Sequence, residues 1–226
     1  MSQGDIHPLT RLILTNATYF KDDWLEQFDP ELTKPDTFHR RDRSRVRVPM
    51  MVLMEELDYF EDRSLQAVRL PYVHDGLAMT VVLPKRIDDF ETSLTPVSLD
   101  QLFRSIRPSE SVILQLPKVE FRDHLRLVPV LRSLGMDRLF GDSGDLSGIT
   151  AEPGAHVDEV EHLTYVKIDE EGTEAAAVTA VVTIGAAPAP IRRKPKTMKV
   201  DRPFWFFLRD DQSGALLFAG RVEDPS

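Results

Sequence analysis

Glu170-Glu171-Gly172-Thr173-Glu174-Ala175-Ala176-Ala177-Val178-Thr179-Ala180-Val181-Val182-Thr183-Ile184-Gly185-Ala186-Ala187-Pro188 carries two conflicting local preferences. Its alanine-rich first half favours helix. Its Val/Thr-rich second half favours strand. Propensity alone predicts a short helix. Yet from Thr173 to Ala187 every side chain except Glu174 is small or β-branched. In an extended chain, successive side chains face opposite ways. Thr173, Ala175, Ala177, Thr179, Val181 and Thr183 then share one narrow face, able to enter a packed sheet without collision. The residues by themselves leave two readings open: a strand suited to insertion, or an alanine-rich linker.

Outward from this stretch, strands dominate. Leu12 to Phe20 is rich in β-branched and aromatic residues and predicts a buried strand, although nothing before it could cover both faces. Val46 and Val48 alternate with arginines after the polar run Arg40-Arg41-Asp42-Arg43-Ser44-Arg45, which predicts a strand with one wet face. Gln66 to Leu70 and Ala78 to Leu83 are strands stopped by Pro71 and Pro84. Ser98 to Gln101 has capping-box spacing, and Leu99, Leu102, Phe103 and Ile106 predict a helix ended by Pro108. Val112 to Phe121 reads as one strand with Pro117 inside it. Leu125 to Leu134 reads as a helix around Pro129, with Gly135 as its C-terminal cap. Thr164 to Ile168 is a further strand, and Phe204 to Leu208 with Ala215 to Val222 predicts a closing hairpin. Strands outnumber helices without regular alternation, so the fold class is mixed α+β. Pro188 to Lys196 reads as an exposed, extended loop.

Composition excludes several functions. The 226 residues carry 37 Asp+Glu against 28 Lys+Arg, a net charge of −9, so no nucleic-acid partner is expected. There is no cysteine, hence no disulfide, thiolate metal site or cysteine nucleophile. No apolar run reaches the roughly 18 residues of a membrane span, and Met1 to Asp5 lacks the features of a signal peptide. The chain reads as soluble and globular. His7, His39, His74, His124, His156 and His162 show no zinc spacing, so neither metal nor cofactor is expected. Gly141-Asp142-Ser143-Gly144-Asp145 has the look of a protease nucleophile turn, but no histidine stands in a supporting motif, and such residues favour plain turns. The chain is not expected to be an enzyme. Asn16-Ala17-Thr18 is formally a glycan acceptor, placed in a strand that reads as apolar.

Taken in order, a set of short motifs resembles the serpin family. Ile168-Asp169-Glu170-Glu171-Gly172-Thr173-Glu174-Ala175-Ala176 resembles the serpin hinge. Asn16-Ala17-Thr18-Tyr19-Phe20-Lys21 with Trp24 and Phe28 looks like the central sheet strand and its exit. Val48-Pro49-Met50-Met51, Leu70-Pro71-Tyr72, Leu83-Pro84, Leu116-Pro117-Lys118, Leu134-Gly135-Met136, Asp145 to Ile149, Arg202-Pro203-Phe204 and Leu217 to Val222 follow in the family's sequence. Each motif is weak; their order is specific, and it covers about residue 8 to 226. The family's first helices and adjoining strands have no counterpart. The resemblance therefore implies a partial serpin domain over 1–226, its C-terminal part, with residues 170–195 as hinge and reactive-centre loop.

The resemblance further implies a bacterial-type inhibitory member that traps a serine protease as a suicide substrate. The protease cuts the loop, and the freed arm then inserts into the large sheet. Hinge residues would be Glu170, Glu171, Gly172, Thr173, Glu174, Ala175, Ala176 and Ala177. Family spacing places the reactive bond at Ala186–Ala187, pointing to an elastase- or subtilisin-like target. Arg192 or Arg193 is the alternative, pointing to a trypsin-like one. Lys118 would pair with Glu170 as a latch, and Asn16 and Trp24 match positions near the sheet opening. Members of this kind are often extracellular, although the residues specify no compartment. The rival expectation is a truncated, non-inhibitory fragment that serves as protease substrate or binds a partner, self-associating through exposed sheet edges.

Overall fold

A computed structural model describes residues 12–109, 111–141, 146–150, 155–173 and 194–226. In chain order its strands are β1 Ile13–Tyr19, β2 Asp22–Asp23, β3 Lys34–His39, β4 Arg45–Glu55, β5 Asp58–Glu61, β6 Leu65–Pro71, β7 Leu77–Pro84, β8 Arg107–Pro108, β9 Val112–Pro117, β10 Val119–Arg126, β11 Glu159–Ile168, β12 Gly172–Thr173, β13 Lys196–Lys199, β14 Phe204–Asp210 and β15 Leu216–Val222. The α-helices are α1 Ile87–Ser93, α2 Pro96–Ser105 and α3 Val128–Ser133. The chain divides into two compact units, residues 1–20 with 121–166 and residues 21–120 with 167–226.

In the first unit β1 runs parallel to β11, from Ile13 opposite Glu159 to Tyr19 opposite Tyr165, and β10 also pairs with β11. Phe140, Leu146, Ala155 and Val157 form its core. The expected buried strand at Leu12 to Phe20 is a strand, but an exposed one: Leu14 is 40% and Tyr19 56% accessible. β-branched and aromatic content reports the extended backbone, not what covers it. The glycan acceptor Asn16 is exposed as well. Helix α3 is shorter than expected, because Leu125 and Arg126 continue β10. Gly135 closes the helix at φ +93°, its N–H bonding Arg132 O at 2.9 Å.

The second unit holds two sheets. One is antiparallel throughout, in the order β15-β14-β7-β6-β5-β8. The other is ordered β13-β9-β4-β3, with β13 parallel to β9. β7 (LAMTVVLP), which lies between β6 and β14, is buried along nearly its whole length. Leu102 and Ile106 of the α2 segment pack on Ala67, Val82 and Phe207 of that sheet. The cap of α2 differs from expectation: Thr95, not Ser98, is the N-cap, with Ser98 as its reciprocal partner and Pro96 in the first turn. The helix stops at Ser105, before Pro108. Val112 to Phe121 is likewise two strands, not one. Pro117, which has no N–H to give, ends β9, and Lys118 separates it from β10.

Candidate functional site

The segment expected to be the hinge begins in a tight turn at the end of β11. Asp169 N–H bonds Gly172 O at 3.0 Å, and the Asp169 carboxylate accepts from the N–H groups of Glu171 and Gly172 at 3.1 and 3.3 Å. Lys167 Nζ, 2.9 Å from Asp169 Oδ2, offsets the charge. The turn delivers β12 into a slot. Thr173 pairs with Ile168 of β11 on one side, and Thr173 and Gly172 pair with Asp22 and Asp23 of β2 on the other, antiparallel both times.

The slot is close-fitting. A Cβ on Gly172 would lie 2.2 Å from Asp22 O and 2.6 Å from Asp23 Cα, so only glycine lets the two backbones approach this far. Thr173 is 2% accessible, and its Oγ1 lies 2.8 Å from Tyr72 Oη. Burial pushes the Tyr72 phenol up, which keeps that hydroxyl protonated. Tyr72 stacks on Trp24 with ring centroids 4.6 Å apart. Trp24 is itself buried. Its indole N–H donates to Asp169 O at 3.0 Å, and its backbone N–H to Glu171 O at 2.9 Å.

Glu170 meets a separate set of partners. Lys118 Nζ approaches its Oε2 at 2.6 Å, and the Thr33 hydroxyl donates to its Oε1 at 2.8 Å. The Glu170 side chain is 11% accessible and that of Lys118 38%, so the pair is half-sheltered rather than fully solvated. The Glu170 carbonyl also accepts from Phe28 N–H at 2.9 Å.

Of the expected site residues, the structure gathers Trp24, Lys118, Glu170, Glu171, Gly172 and Thr173 around this turn. Asn16 belongs to the first unit, where it faces His162 in the β1–β11 register. Glu174, Ala175, Ala176, Ala177, Ala186, Ala187, Arg192 and Arg193 lie outside the described residues, as does Ser143. Sequence reasoning missed Thr33, Asp22 and His74. Tyr72 stood in a quoted motif without a role. The contacts of Thr33 with Glu170 and of Tyr72 with Thr173 join residues more than one hundred positions apart, which no local pattern encodes.

The family model for serpin (serine protease inhibitor) matches residues 1–225. The chain belongs to the serpin family. It is 39% identical to an uncharacterised serpin-like protein of Thermococcus kodakarensis, over 97% of this chain and 51% of that one. It is 34% identical to a leukocyte elastase inhibitor of Xenopus tropicalis, over 100% of this chain and 61% of that one. Among solved structures, Serpin48 of the insect Tenebrio molitor matches with a TM-score of 0.83 at 30% identity, covering 100% of this chain and 59% of that one. This serpin thus spans about half the length of the curated relatives it matches. Its mixed sheets with few helices are those of the α+β serpin fold.

Proposed function

We propose that this serpin chain is the loop-bearing part of a suicide-substrate inhibitor of serine proteases. One observation carries the reading: Gly172 and Thr173 sit, buried and hydrogen-bonded on both edges, between the end of β11 and β2. The next residues, small or β-branched apart from Glu174, would extend that strand. The protease serine oxygen attacks the carbonyl of Ala186. An ester forms, the Ala186–Ala187 peptide bond breaks, and the proton goes to the new amine of Ala187. Insertion of the freed arm then competes with hydrolysis of the ester. About a dozen inserted residues add about a dozen ladder hydrogen bonds at roughly 1 kcal/mol each, comparable with a domain's whole stability. Ala186 favours a small primary pocket, in keeping with the similarity to the Xenopus leukocyte elastase inhibitor.

The test is to mix the chain with elastase, subtilisin and trypsin and look on a denaturing gel for an adduct that survives. Mass spectrometry should find a C-terminal fragment beginning at Ala187; a cut after Arg192 or Arg193 would move the target to the trypsin-like class. Thr173→Arg should turn trapping into plain cleavage, because its charge would be buried beside Tyr72. Undiminished trapping by that variant would refute the hinge role.

A second reading rests on the exposed β1, with Leu14 and Tyr19 both open to solvent. In that reading the chain is a non-inhibitory substrate or partner-binding protein that self-associates through this strand. Cleavage without adduct, with sedimentation showing oligomers, would favour it.

A further inference from the structure

β2 is only two residues long, yet it forms the outer wall of the hinge slot. Its Asp22 side chain is 4% accessible. Asp22 Oδ1 accepts from Asp23 N–H at 2.9 Å and from His74 Nδ1 at 2.8 Å. Asp22 Oδ2 is buried with no hydrogen-bond partner among the described residues. A buried carboxylate so poorly satisfied depends on a nearby positive charge. His74 is the group placed to supply it, and at 77% accessible it exchanges protons freely with solvent.

His74 lies in the turn between β6 and β7, and that turn is bound to β2. Val73 N–H donates to Asp23 O at 2.8 Å, and Trp24 bridges Tyr72. The charged groups bearing on the imidazole are Asp22 and Asp23 of β2. Asp75 is its exposed neighbour in the turn. On the side of the β14–β15 connection, Gly76 O takes the N–H of Asp211, whose carboxylate is held by Arg69 at 2.6 Å. β12 contributes no ionisable group.

We propose that His74 and Asp22 form a proton-operated clasp on the hinge slot: protonated His74 holds β2 against Gly172 and Thr173, and neutral His74 loosens it. This is regulation of the insertion site and rests on the reading above. The Asp22 hydrogen bond and charge, with a smaller contribution from Asp23, raise the His74 pKa above its ordinary 6.5. A raised folded pKa means that the stabilisation is complete below about 6.5 and is lost as pH climbs through the higher folded value. The slot is therefore firm in mild acid and slack in alkali. Gly172 and Thr173 pair with Asp23 and Asp22, leaving no room even for a Cβ on Gly172, so this segment feels any displacement of β2.

Amide exchange at Gly172 and Thr173 in the intact chain, corrected for intrinsic rates, tests the clasp from about pH 5.5 to about pH 8.5. Protection should fall by about fivefold or more across that range, the lower end of typical coupling between sites. His74→Gln should show low protection throughout, His74→Lys high protection throughout, and Asp22→Asn no dependence on His74. A wild-type profile that His74→Gln leaves unchanged overturns the proposal. With subtilisin at each pH, the ratio of adduct to cleaved chain should follow the same order. If no adduct forms while exchange still tracks His74, the clasp stands and the inhibitory reading falls.

Discussion

Burial alone would raise the pKa of Glu170, but the Lys118 ammonium and the Thr33 hydroxyl outweigh it and hold the carboxyl below its ordinary 4.5. A depressed folded pKa contributes stability above about 4.5 that disappears as pH falls through the folded value. Lys118→Met should therefore cost about 1 kcal/mol near neutral pH, less than the roughly 1.5–3 kcal/mol of a fully sheltered hydrogen bond to a charged group, because the Lys118 side chain is 38% accessible. The cost should shrink in acid, as protonated Glu170 no longer needs the lysine. Urea denaturation of both proteins at neutral and acid pH checks this, and equal midpoints at neutral pH would refute it. Lys118 and Glu170 were legible as a pair only because serpin motifs surround both. Thr33 was not, since Leu32-Thr33-Lys34 carries no pattern and its partner lies far along the chain.

Between β2 and β12 the backbones are in contact, and this makes Gly172→Ala informative. The methyl group would overlap Asp22 O, so the strands must part, at a cost of about 1–3 kcal/mol as for other overpacked sites. The expected result is a lower melting temperature with faster amide exchange at Asp23 and Thr173. Exchange unchanged from wild type would mean that β2 yields without cost. Elements of this kind escape sequence reading: two residues show no periodicity, and β2 exists only because β12 lies beside it. Longer elements were legible. β6, β7 and the hairpin of β14 with β15 follow from alternation and turn residues. The errors cluster where one residue can serve two neighbours. Ser98 has the spacing of a cap but answers Thr95, and Pro117 ends one strand where it could have interrupted another.

For the molecule as a whole, strands without regular helices gave the mixed class, and the order of weak motifs gave the family. The exposure of β1 runs against its β-branched and aromatic content, because covering a strand is the work of other segments. One placement in the second unit bears on what a protease leaves behind. β14 lies between β7 and β15, with Phe204, Phe206, Phe207 and Leu208 all buried, and β13 lies against β9. Arg40 and Arg41 anchor the tail through Asp224 and Glu223 at 2.7 and 2.8 Å. Among the described residues, β13, β14 and β15, which follow the loop in the chain, are thus held in the unit's sheets. The nicked chain should elute as one particle in native gel filtration and separate into two polypeptides only in denaturant; a small peptide eluting alone in native buffer would contradict this. Proteolysis here would cut the covalent thread and leave the particle whole.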